Sequence, residues 1–357
     1  MEKLKIGIYC GESSETWSPK SEASGIGGSE EAVINISREL AKRGHNVTVW
    51  NHCGSDADEY DGVDYRDFLD YEADQLDIAI GWRSSRPFRI LKNFKKGYLW
   101  LHDTMPFKDV ALALELGADK AMMLSKYHRR LYPAIRNEEV FLTRNGINPK
   151  HFDQKVEKVK GRMFWGSSYD RGLAEVLELW PKIKDEIPEA TLHICYGWET
   201  MEKTLGKDSE NYKAIREKFD GLFNQEGVVH LGRISHEEVA KEMLEAEVWG
   251  YPTWWPETSC ITAMKAQVAG AIPVVIPTAA VAETVKMGIK TDRSYYHDIR
   301  GNVTRPEEAL DQWLNGVVET LKNPDEKFRK RMMDWAKDYF DWAKVAEEWE
   351  KEFTNEL

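Results

Sequence analysis

The stretch that decides the fold of this chain is Tyr251-Pro-Thr-Trp-Trp-Pro-Glu-Thr-Ser-Cys-Ile-Thr-Ala-Met-Lys-Ala-Gln-Val-Ala-Gly-Ala-Ile-Pro-Val-Val275. It predicts a strand, a tight turn with Glu257, a helix over 259–269 and a second strand. The free N–H groups at the start of such a helix suit an anion, and Glu257 could accept hydrogen bonds from sugar hydroxyls. The turn therefore indicates a ligand that is part phosphate and part sugar, although a plain capped helix after a strand is a common alternative.

Strands and helices alternate along the rest of the chain, which predicts two open, parallel α/β sheets. The predicted strands cover residues 5–9, 46–50, 77–81, 98–101, 121–124, 140–142, 162–165, 191–196, 228–231, 248–251 and 272–276. The predicted helices cover residues 29–43, 172–186, 236–245 and 259–269, and then 305–322, 324–339 and 342–353 at the end of the chain. A polar, lysine-rich stretch at 150–160 predicts the linker between the two sheets.

Composition limits the class of protein. A chain of 357 residues is long enough for two domains, and no stretch approaches the roughly 20 apolar residues of a membrane-spanning helix. The net charge of -12 argues against general nucleic-acid binding, because phosphate backbones would be repelled. Four scattered cysteines without a Cys-x-x-Cys pair, and a start without a signal peptide, predict a cytoplasmic protein with reduced thiols.

Two loops that follow predicted strands are suited to phosphate. Gly27 and Gly28 precede the first helix, where glycine lets the backbone approach a phosphate closely, although a flexible loop before a helix capped by Ser29 is the alternative. Arg171 follows the strand 162–165, and its planar guanidinium could bridge two phosphates. A surface ion pair between Arg171 and Asp170 is equally compatible with these residue types.

Two further features allow a functional and a structural interpretation. His102 ends a buried strand and could contact a substrate hydroxyl or transfer a proton, but a histidine satisfied by Asp103 or by the backbone is commoner. A basic stripe recurs at every third residue, which on a helix could contact an anionic membrane or an acidic acceptor, or simply be a solvated face. The stripe consists of Arg83, Arg86, Arg89, Lys92 and Lys95. The nine histidines show no metal-ligand spacing.

Taken in order along the chain, these motifs resemble those of the GT-B fold retaining glycosyltransferases, in the GT4-like group (glycosyl transferases group 1). The resemblance rests on Gly-Gly-Ser-Glu30, the strand end at His102, Asn145-Gly-Ile, Ser-Ser-Tyr-Asp-Arg171-Gly-Leu, Leu231-Gly-Arg-Ile234, Pro256-Glu-Thr-Ser-Cys-Ile-Thr-Ala and Ala269-Gly-Ala-Ile-Pro273. It implies an α/β protein of two Rossmann-like, doubly wound domains that face a central cleft. The implied parts are an acceptor-side domain over 1–152, a nucleotide-sugar domain over 160–338, and a final segment, 339–357, whose helix packs back on the first domain.

The resemblance also implies roles for individual residues. Glu257 would bind the hydroxyls of the donor sugar, Arg171 would neutralise the leaving diphosphate, and His102 would lie near the transferred sugar. Gly27 and Gly28 would approach the diphosphate, and the base would meet Trp198 or the backbone of Arg233 and Ile234. The remaining donor-binding positions would be Thr258, Ser259, Cys260 and Ile261. Such enzymes generally need no metal or other cofactor.

Two positions depart from the family pattern. Lys265 replaces a second glutamate that typically binds the nucleotide ribose, and a lysine cannot accept hydrogen bonds from ribose hydroxyls. Ser167 stands where many relatives have a second basic residue for the diphosphate. Weak donor binding is therefore our hypothesis, and an exposed lysine on a shifted helix register is the structural alternative.

The resemblance implies a retaining glycosyltransferase that moves a sugar from a nucleotide-diphosphate sugar to an acceptor hydroxyl. The acceptor could be a polysaccharide, a lipid-linked glycan or a small molecule, and the protein would be cytoplasmic or peripheral at the membrane. One alternative is a catalytically inactive homologue that binds nucleotide sugars. Another is a sugar-nucleotide epimerase, which shares the architecture but needs acid and base residues for which the chain offers weak candidates.

Overall fold

A computed structural model describes residues 3–71, 75–90, 93–298 and 301–357. The chain divides into two compact units. The first comprises the residues up to Glu22, Ile26–Asn148 and Phe340–Leu357, and the second comprises Ala23–Gly25 and Pro149–Tyr339. The second unit therefore interrupts the first in sequence, and the last eighteen or so residues return to the first.

The first unit is built on an eight-stranded sheet in the order β3-β4-β2-β1-β5-β6-β7-β8. Its strands are β1 (Lys5–Gly11), β2 (Asn46–Asn51), β3 (Asp58–Tyr60), β4 (Val63–Asp67), β5 (Leu76–Trp82), β6 (Phe94–Trp100), β7 (Lys120–Met123) and β8 (Val140–Leu142). All neighbours pair in parallel except β3, which runs antiparallel to β4. The helices are α1 (Gly28–Lys42), α2 (Arg86–Ile90), α3 (Phe107–Glu115) and α4 (Lys126–Arg130).

The second unit contains a six-stranded parallel sheet in the order β11-β10-β9-β12-β13-β14. Its strands are β9 (Arg162–Trp165), β10 (Thr191–Cys195), β11 (Val228–Gly232), β12 (Val248–Tyr251), β13 (Ile272–Val275) and β14 (Ile289–Lys290), with a separate hairpin of β15 (Tyr296–His297) and β16 (Val303–Thr304). The helices are α5 (Leu173–Glu186), α6 (Glu199–Leu205), α7 (Glu210–Phe223), α8 (His236–Glu245), α9 (Ile261–Ala269), α10 (Val281–Thr284), α11 (Glu307–Lys322) and α12 (Glu326–Tyr339).

The closing helix, α13 (Trp342–Glu356), packs in the first unit. Trp349 meets Trp100 of β6 edge to face at 4.8 Å, and its indole N–H donates to Thr143 Oγ1 at 2.7 Å. On its neighbouring face the buried Glu350 accepts from His45 Nε2 at 3.1 Å and pairs with Arg43 at the end of α1. Burying these aromatic and charged side chains together makes the helix an integral part of the first unit's core.

All eleven predicted strands and all seven predicted helices are present, with ends that differ by up to four residues. The sequence analysis missed the strands β3, β4, β14, β15 and β16 and the helices α2, α3, α4, α6, α7 and α10. The helix α7 buries only Tyr212 and Phe219, seven residues apart, so its apolar periodicity is weak. Helix α1 begins at Gly28 with Gly27 as its N-cap, so the prediction that Ser29 caps this helix was wrong.

The predicted basic stripe does not form on one helix. Arg83 lies before α2 in the left-handed region (φ 55°), α2 spans only five residues, and Lys95 lies on β6. Arg83 pairs with Asp103, and Lys95 pairs with Asp77 at 2.8 Å. Lys92 lies outside the described residues. The stripe was thus a wrong prediction, because a turn and a strand separate its members, and a membrane contact through it loses its structural basis. Among the described residues, no helix combines the length and apolar character needed to cross a bilayer.

Candidate active site

The strand order of the second unit reverses between β9 and β12, which lie side by side at the centre of the sheet. Open α/β sheets bind ligands outside the carboxyl ends of their strands at such a reversal, because the two outgoing chains separate there and leave a crevice. The loop after β9 contains Arg171, and the loop after β12 contains Glu257. The topology therefore brings together the two residues that the sequence singled out.

Glu257 is fixed by its own loop and by β12. Its carboxylate accepts a hydrogen bond from the Tyr251 hydroxyl at 3.0 Å, its N–H donates to the Trp255 carbonyl at 2.9 Å, and its carbonyl accepts from Ala280 at 3.0 Å. Burial raises the pKa of Tyr251 well above its ordinary value, and the nearby Glu257 raises it further. The phenol therefore stays protonated and orients the carboxylate, which suits a group that accepts hydrogen bonds from a polyhydroxyl ligand.

The start of α9 lies directly after this loop. The helix begins at Ile261, two residues later than predicted, with Cys260 as an N-cap whose side chain makes no capping bond. The Ser259 hydroxyl is buried and has no hydrogen-bond partner among the described residues. Burial holds the pKa of the Cys260 thiol well above its usual range, so this residue stays a neutral thiol and is not an activated nucleophile. The first-turn N–H groups and the Ser259 hydroxyl together form a polar set suited to an anion.

Arg171 lies flat on the Glu257 loop. Its guanidinium carbon is 3.4 Å from the centroid of the Trp255 ring, and its Nη1 is buried without a hydrogen-bond partner among the described residues. The alternative partner, Asp170, is half exposed and lies 3.5 Å away. Gly172 follows in the left-handed region (φ 113°), and an added Cβ would meet the Pro252 carbonyl at 3.1 Å. Stacking on Trp255 thus holds the cation next to the predicted sugar-binding carboxylate.

Ser167 and Lys265 occupy the same edge of the sheet. The Ser167 carbonyl accepts from Trp165 Nε1 at 2.7 Å, and Thr262 Oγ1 of α9 donates to the preceding carbonyl, that of Gly166, at 3.3 Å. Burial raises the pKa of the Cys195 thiol to about 12, and the charge of the half-buried Lys265 opposes this rise. Lys265 is therefore half-buried and close enough to Cys195, at the end of β10, for its charge to act on that thiol.

Three predicted base-contacting residues have different surroundings. Trp198 is 6% exposed, with the Arg216 guanidinium 4.6 Å from its ring and Tyr169 edge-on at 4.8 Å. These neighbours place the indole in an aromatic core, so we no longer expect it to stack on a base. Arg233 follows β11 and donates from Nη2 to the Gly25 carbonyl at 2.8 Å, and Ile234 follows it in the turn before α8.

In the first unit, Gly27 and Gly28 form the start of α1. An added Cβ on Gly27 would overlap the Glu30 carboxylate, so the absence of a side chain allows this acid to fold back over the helix start. Burial raises the pKa of Glu30, and the guanidinium of Arg83 opposes the rise. The first turn of α1 thus faces a carboxyl group of its own chain.

His102 is buried among aromatic rings. Its imidazole meets Trp100 at 4.5 Å and Trp82 at 5.8 Å, both edge to face. Burial, and secondarily the positive charge of Arg83, hold the pKa of His102 well below its ordinary value. Asp103 binds Arg83. His102 is therefore neutral at physiological pH, which suits a hydrogen-bonding group and excludes a resting imidazolium acid.

A cavity of about 420 Å³ in the first unit was missed by the sequence analysis. It is lined by residues 9–14 at the end of β1, by Trp82, Arg83, Ser84 and Arg86 after β5, and by Glu30. Strands β1 and β5 are the neighbours between which the strand order of this sheet reverses. The sequence gave only a weak signal for this cavity, because two apolar strands end in polar residues but those residues form no recognisable motif. Within the described ranges, no cluster of three His, Cys, Asp or Glu side chains could bind a metal ion.

Comparisons with known proteins agree with this geometry. Residues 167–338 match the model of the family Glycosyl transferases group 1. No curated protein sequence matches the chain. Among solved structures, a glycosyltransferase from Rickettsia africae is similar with a TM-score of 0.72 at 12% identity, covering 100% of this chain and 99% of that one.

Two further solved structures are similar over nearly the whole chain. Sucrose-phosphate synthase from Thermosynechococcus elongatus has a TM-score of 0.71 at 13% identity, covering 98% of each chain. Anabaena HepE, solved in complex with UDP-glucose, has a TM-score of 0.69 at 13% identity, covering 98% of this chain and 100% of that one. These likenesses confirm the GT-B fold, and the matched segment contains both Arg171 and Glu257. Residues 167–338 of this chain therefore match the family Glycosyl transferases group 1, and the chain as a whole has the fold of these solved structures.

Proposed function

We propose that this protein transfers a sugar from a nucleotide-diphosphate sugar to an acceptor hydroxyl and retains the anomeric configuration. The observation that supports it most directly is the placement of Arg171 against the Glu257 loop at the strand reversal of the second unit. A cation with an unpartnered Nη1, helix N–H groups and an oriented carboxylate match the three parts of such a donor, two phosphates and a polyhydroxyl ring.

In the proposed reaction, the donor diphosphate lies at the start of α9 and against Arg171. Breaking the sugar–phosphate bond builds negative charge on the leaving diphosphate, and fixed donors stabilise that charge more than they stabilise the ground state. Trp255 holds the guanidinium in place before the reaction. Glu257, oriented by Tyr251, binds hydroxyls of the sugar and fixes the position of its anomeric carbon.

Retention is proposed to follow a front-face route without a covalent enzyme intermediate. The acceptor hydroxyl approaches on the side of the leaving phosphate, whose oxygen takes the acceptor proton. The buried, protonated Cys260 is unsuited to attack, and neutral His102 is suited to hydrogen bonding. The reaction is proposed to be metal-independent, with Arg171 and the helix N-terminus in the electrostatic role.

HepE binds UDP-glucose in its solved structure, which supports a nucleoside-diphosphate sugar as the donor class here. The test is a thermal-shift comparison of UDP-, GDP- and ADP-glucose, followed by incubation of the best ligand with a mixture of acceptors in EDTA. We expect one nucleotide to raise the unfolding temperature, because a ligand of the folded state stabilises it by mass action. Proton NMR should show a product with the donor's anomeric configuration, whereas an inverted product or metal-dependent turnover would contradict the proposal.

A second candidate is an inactive homologue that binds nucleotide sugars, which is favoured by Lys265. A cation at a position where the family pattern has a ribose-binding acid weakens the nucleotide site. The same experiment separates the two candidates. Turnover of any donor excludes the inactive homologue, while a thermal shift without product or donor hydrolysis supports it.

A further inference from the structure

The cavity of the first unit has the position and size of a ligand site. It lies at the carboxyl ends of β1 and β5, where the strand order reverses, and this is where open α/β sheets bind ligands. Its volume of about 420 Å³ falls in the range of roughly 300–1,000 Å³ that is typical of small-molecule pockets.

Two buried aromatic residues line this cavity. Tyr9 and Trp82 are 1% and 3% exposed. The Tyr9 hydroxyl lies beside the Arg86 guanidinium, and the Trp82 indole N–H has no hydrogen-bond partner among the described residues. A ligand with acceptor atoms would satisfy that N–H group. Because burial raises the pKa of Tyr9, its hydroxyl stays protonated and able to donate.

The two arginines of the cavity differ in their charge balance. Arg83 stacks on Trp82 at 4.8 Å, binds Asp103, and lies 3.9 Å from Glu30, so acids of its own chain neutralise it. Arg86 stacks on Tyr9 at 5.7 Å and has no ion pair among the described residues. Arg86 is therefore the cation of this cavity that is available to an anion from outside the chain.

The remaining lining residues suit a carbohydrate. Glu12 and Glu30 can accept hydrogen bonds from sugar hydroxyls, and Ser13, Ser14 and Ser84 can donate and accept them. The rings of Tyr9 and Trp82 provide flat surfaces with a polar edge, as sugar-binding sites require. A simple inorganic anion would use only Arg86 and leave these acceptors unmatched.

We propose that this cavity binds the acceptor substrate, and that the acceptor is a carbohydrate with an oxyanion group, either phosphate or carboxylate, which Arg86 binds. The assignment of the bound sugar as acceptor rests on the proposed glycosyl transfer. Arg86 and the donors of Tyr9 and Trp82 bind the oxyanion end, while the carboxyl groups bind hydroxyls. The site thereby selects acidic over neutral acceptors.

The test is calorimetric titration of the intact protein, without donor, with glucose, galactose and mannose, each beside its 6-phosphate and its uronic acid. We expect at least one acidic sugar to bind about tenfold or more tightly than its neutral parent, as a charge-assisted hydrogen bond provides. The acidic group that gives the higher affinity, phosphate or carboxylate, is the oxyanion that the site binds. The variant Arg86→Gln should bind the acidic sugar as weakly as the neutral one. The control Arg89→Gln, on the exposed part of the same helix, should keep the difference.

Two results would overturn the inference, namely no acidic sugar binding more tightly than its parent, or full acidic-sugar affinity in Arg86→Gln. A further contrary result is a loss of donor affinity in Arg86→Gln, measured by thermal shift with the best nucleotide sugar. The inference and the proposed transfer can fail separately. If acidic sugars bind but no turnover occurs, the proposed transfer is contradicted and the proposed oxyanion site stands. If neutral acceptors are turned over and Arg86→Gln does not change that turnover, only the proposed oxyanion site is contradicted.

Discussion

Arg171 shows how an aromatic neighbour determines what a charged residue can do. A surface arginine with a nearby aspartate has little fixed geometry, but stacking on Trp255 at 3.4 Å orients the guanidinium plane and leaves Nη1 directed away from solvent. The sequence showed the arginine and the acid. Only the structure shows that the loop after β12 supplies an indole for this arginine, in addition to its ion pair with Asp170.

The variant Arg171→Gln should lose turnover because it removes the cation that stabilises the leaving diphosphate. We expect kcat to fall by about 10²–10³, as for other preorganised donors to a developing anion. Steady-state kinetics with the donor identified by thermal shift measures it. Arg216→Gln is the matched control, since Arg216 also stacks on a tryptophan but belongs to α7. Equal losses in both variants would show that the effect is structural.

In the proposed function, we expect Lys265 to weaken donor binding. Replacing Lys265 with glutamate should restore hydrogen-bond acceptors for the ribose. We therefore expect Lys265→Glu to bind the nucleotide sugar about tenfold more tightly, which corresponds to the free energy of one charged hydrogen bond. Titration calorimetry of the donor measures it, with the exposed Lys241→Glu of α8 as a control for net charge. Unchanged donor affinity in Lys265→Glu would contradict the ribose role of this position.

At the scale of elements, Lys158 joins the ends of two helices that support the candidate site. Its ammonium donates to the carbonyls of Met243 and Ala246 at the end of α8 and of Ala269 at the end of α9, at 3.3, 2.8 and 2.8 Å. The last carbonyls of a helix have no partner within it, so one buried cation satisfies groups from both helices. Since α9 begins at the site, its position depends on this distant anchor.

The variant Lys158→Met keeps much of the side-chain volume but leaves the carbonyls of Met243, Ala246 and Ala269 without their hydrogen-bond donor. We expect it to lower the free energy of unfolding by about 2–4 kcal/mol, because buried acceptors lose their hydrogen bonds. Urea unfolding at neutral pH measures the change. Lys160→Met, which removes an exposed lysine paired with Glu189, should change it by about 0.5 kcal/mol or less. A similar effect in both variants would contradict the anchoring role.

The buried Lys158 predicts that the free energy of unfolding depends on pH. Burial, and then Arg329, lower the pKa of Lys158 to about 7. Between that value and the ordinary lysine pKa near 10.5 the unfolded chain binds more protons than the folded chain, so stability rises with pH across this window. The rise should be absent from Lys158→Met. Urea midpoints for the wild type and variant at several pH values test it, and parallel profiles would contradict the assignment.

At the scale of the whole molecule, the chain returns to its first unit after completing the second. Trp349 and Phe353 of α13 are fully buried there, and Glu350 is satisfied by groups of α1 and the turn after it. The first unit is therefore incomplete until the last residues have been made, whereas the second unit is continuous from Pro149 to Tyr339 apart from Ala23–Gly25.

A truncation after Tyr339 should accordingly unfold the first unit and leave the second largely intact. Removing α13 exposes the core around Trp100 and leaves His45 without its buried partner. Hydrogen exchange should show lost protection in β1, β5, β6 and β7 but retained protection in β9, β10, β12 and β13. A shorter truncation that removes only residues 354–357 is the control and should keep both patterns. Uniform loss in both units would contradict the division.

Local patterns predicted most elements because burial imposes a simple composition on them. The central strands β1, β5, β12 and β13 are covered on both faces, so each is a short apolar run that stands out in the sequence. The edge strand β3 has no buried residue, and its neighbour β4 buries only Val63 and Tyr65, so neither forms an apolar run and the sequence analysis missed both. The basic stripe failed for a related reason, since a spacing of three is compatible with a helix but does not create one.

The sequence by itself predicted the α/β class, the succession of strands and helices along the chain and the motifs after β9 and β12, because these depend on local periodicity and residue type. The return of the last helix was implied only by the family resemblance. Only the tertiary structure decided that Trp255 holds Arg171, that Trp198 belongs to a core, and that Tyr9, Trp82 and Arg86 surround one cavity. The physical reason is that such contacts join residues far apart in sequence. The spatial order of the strands within each sheet sets which loops become neighbours, and no local sequence pattern records that spatial order.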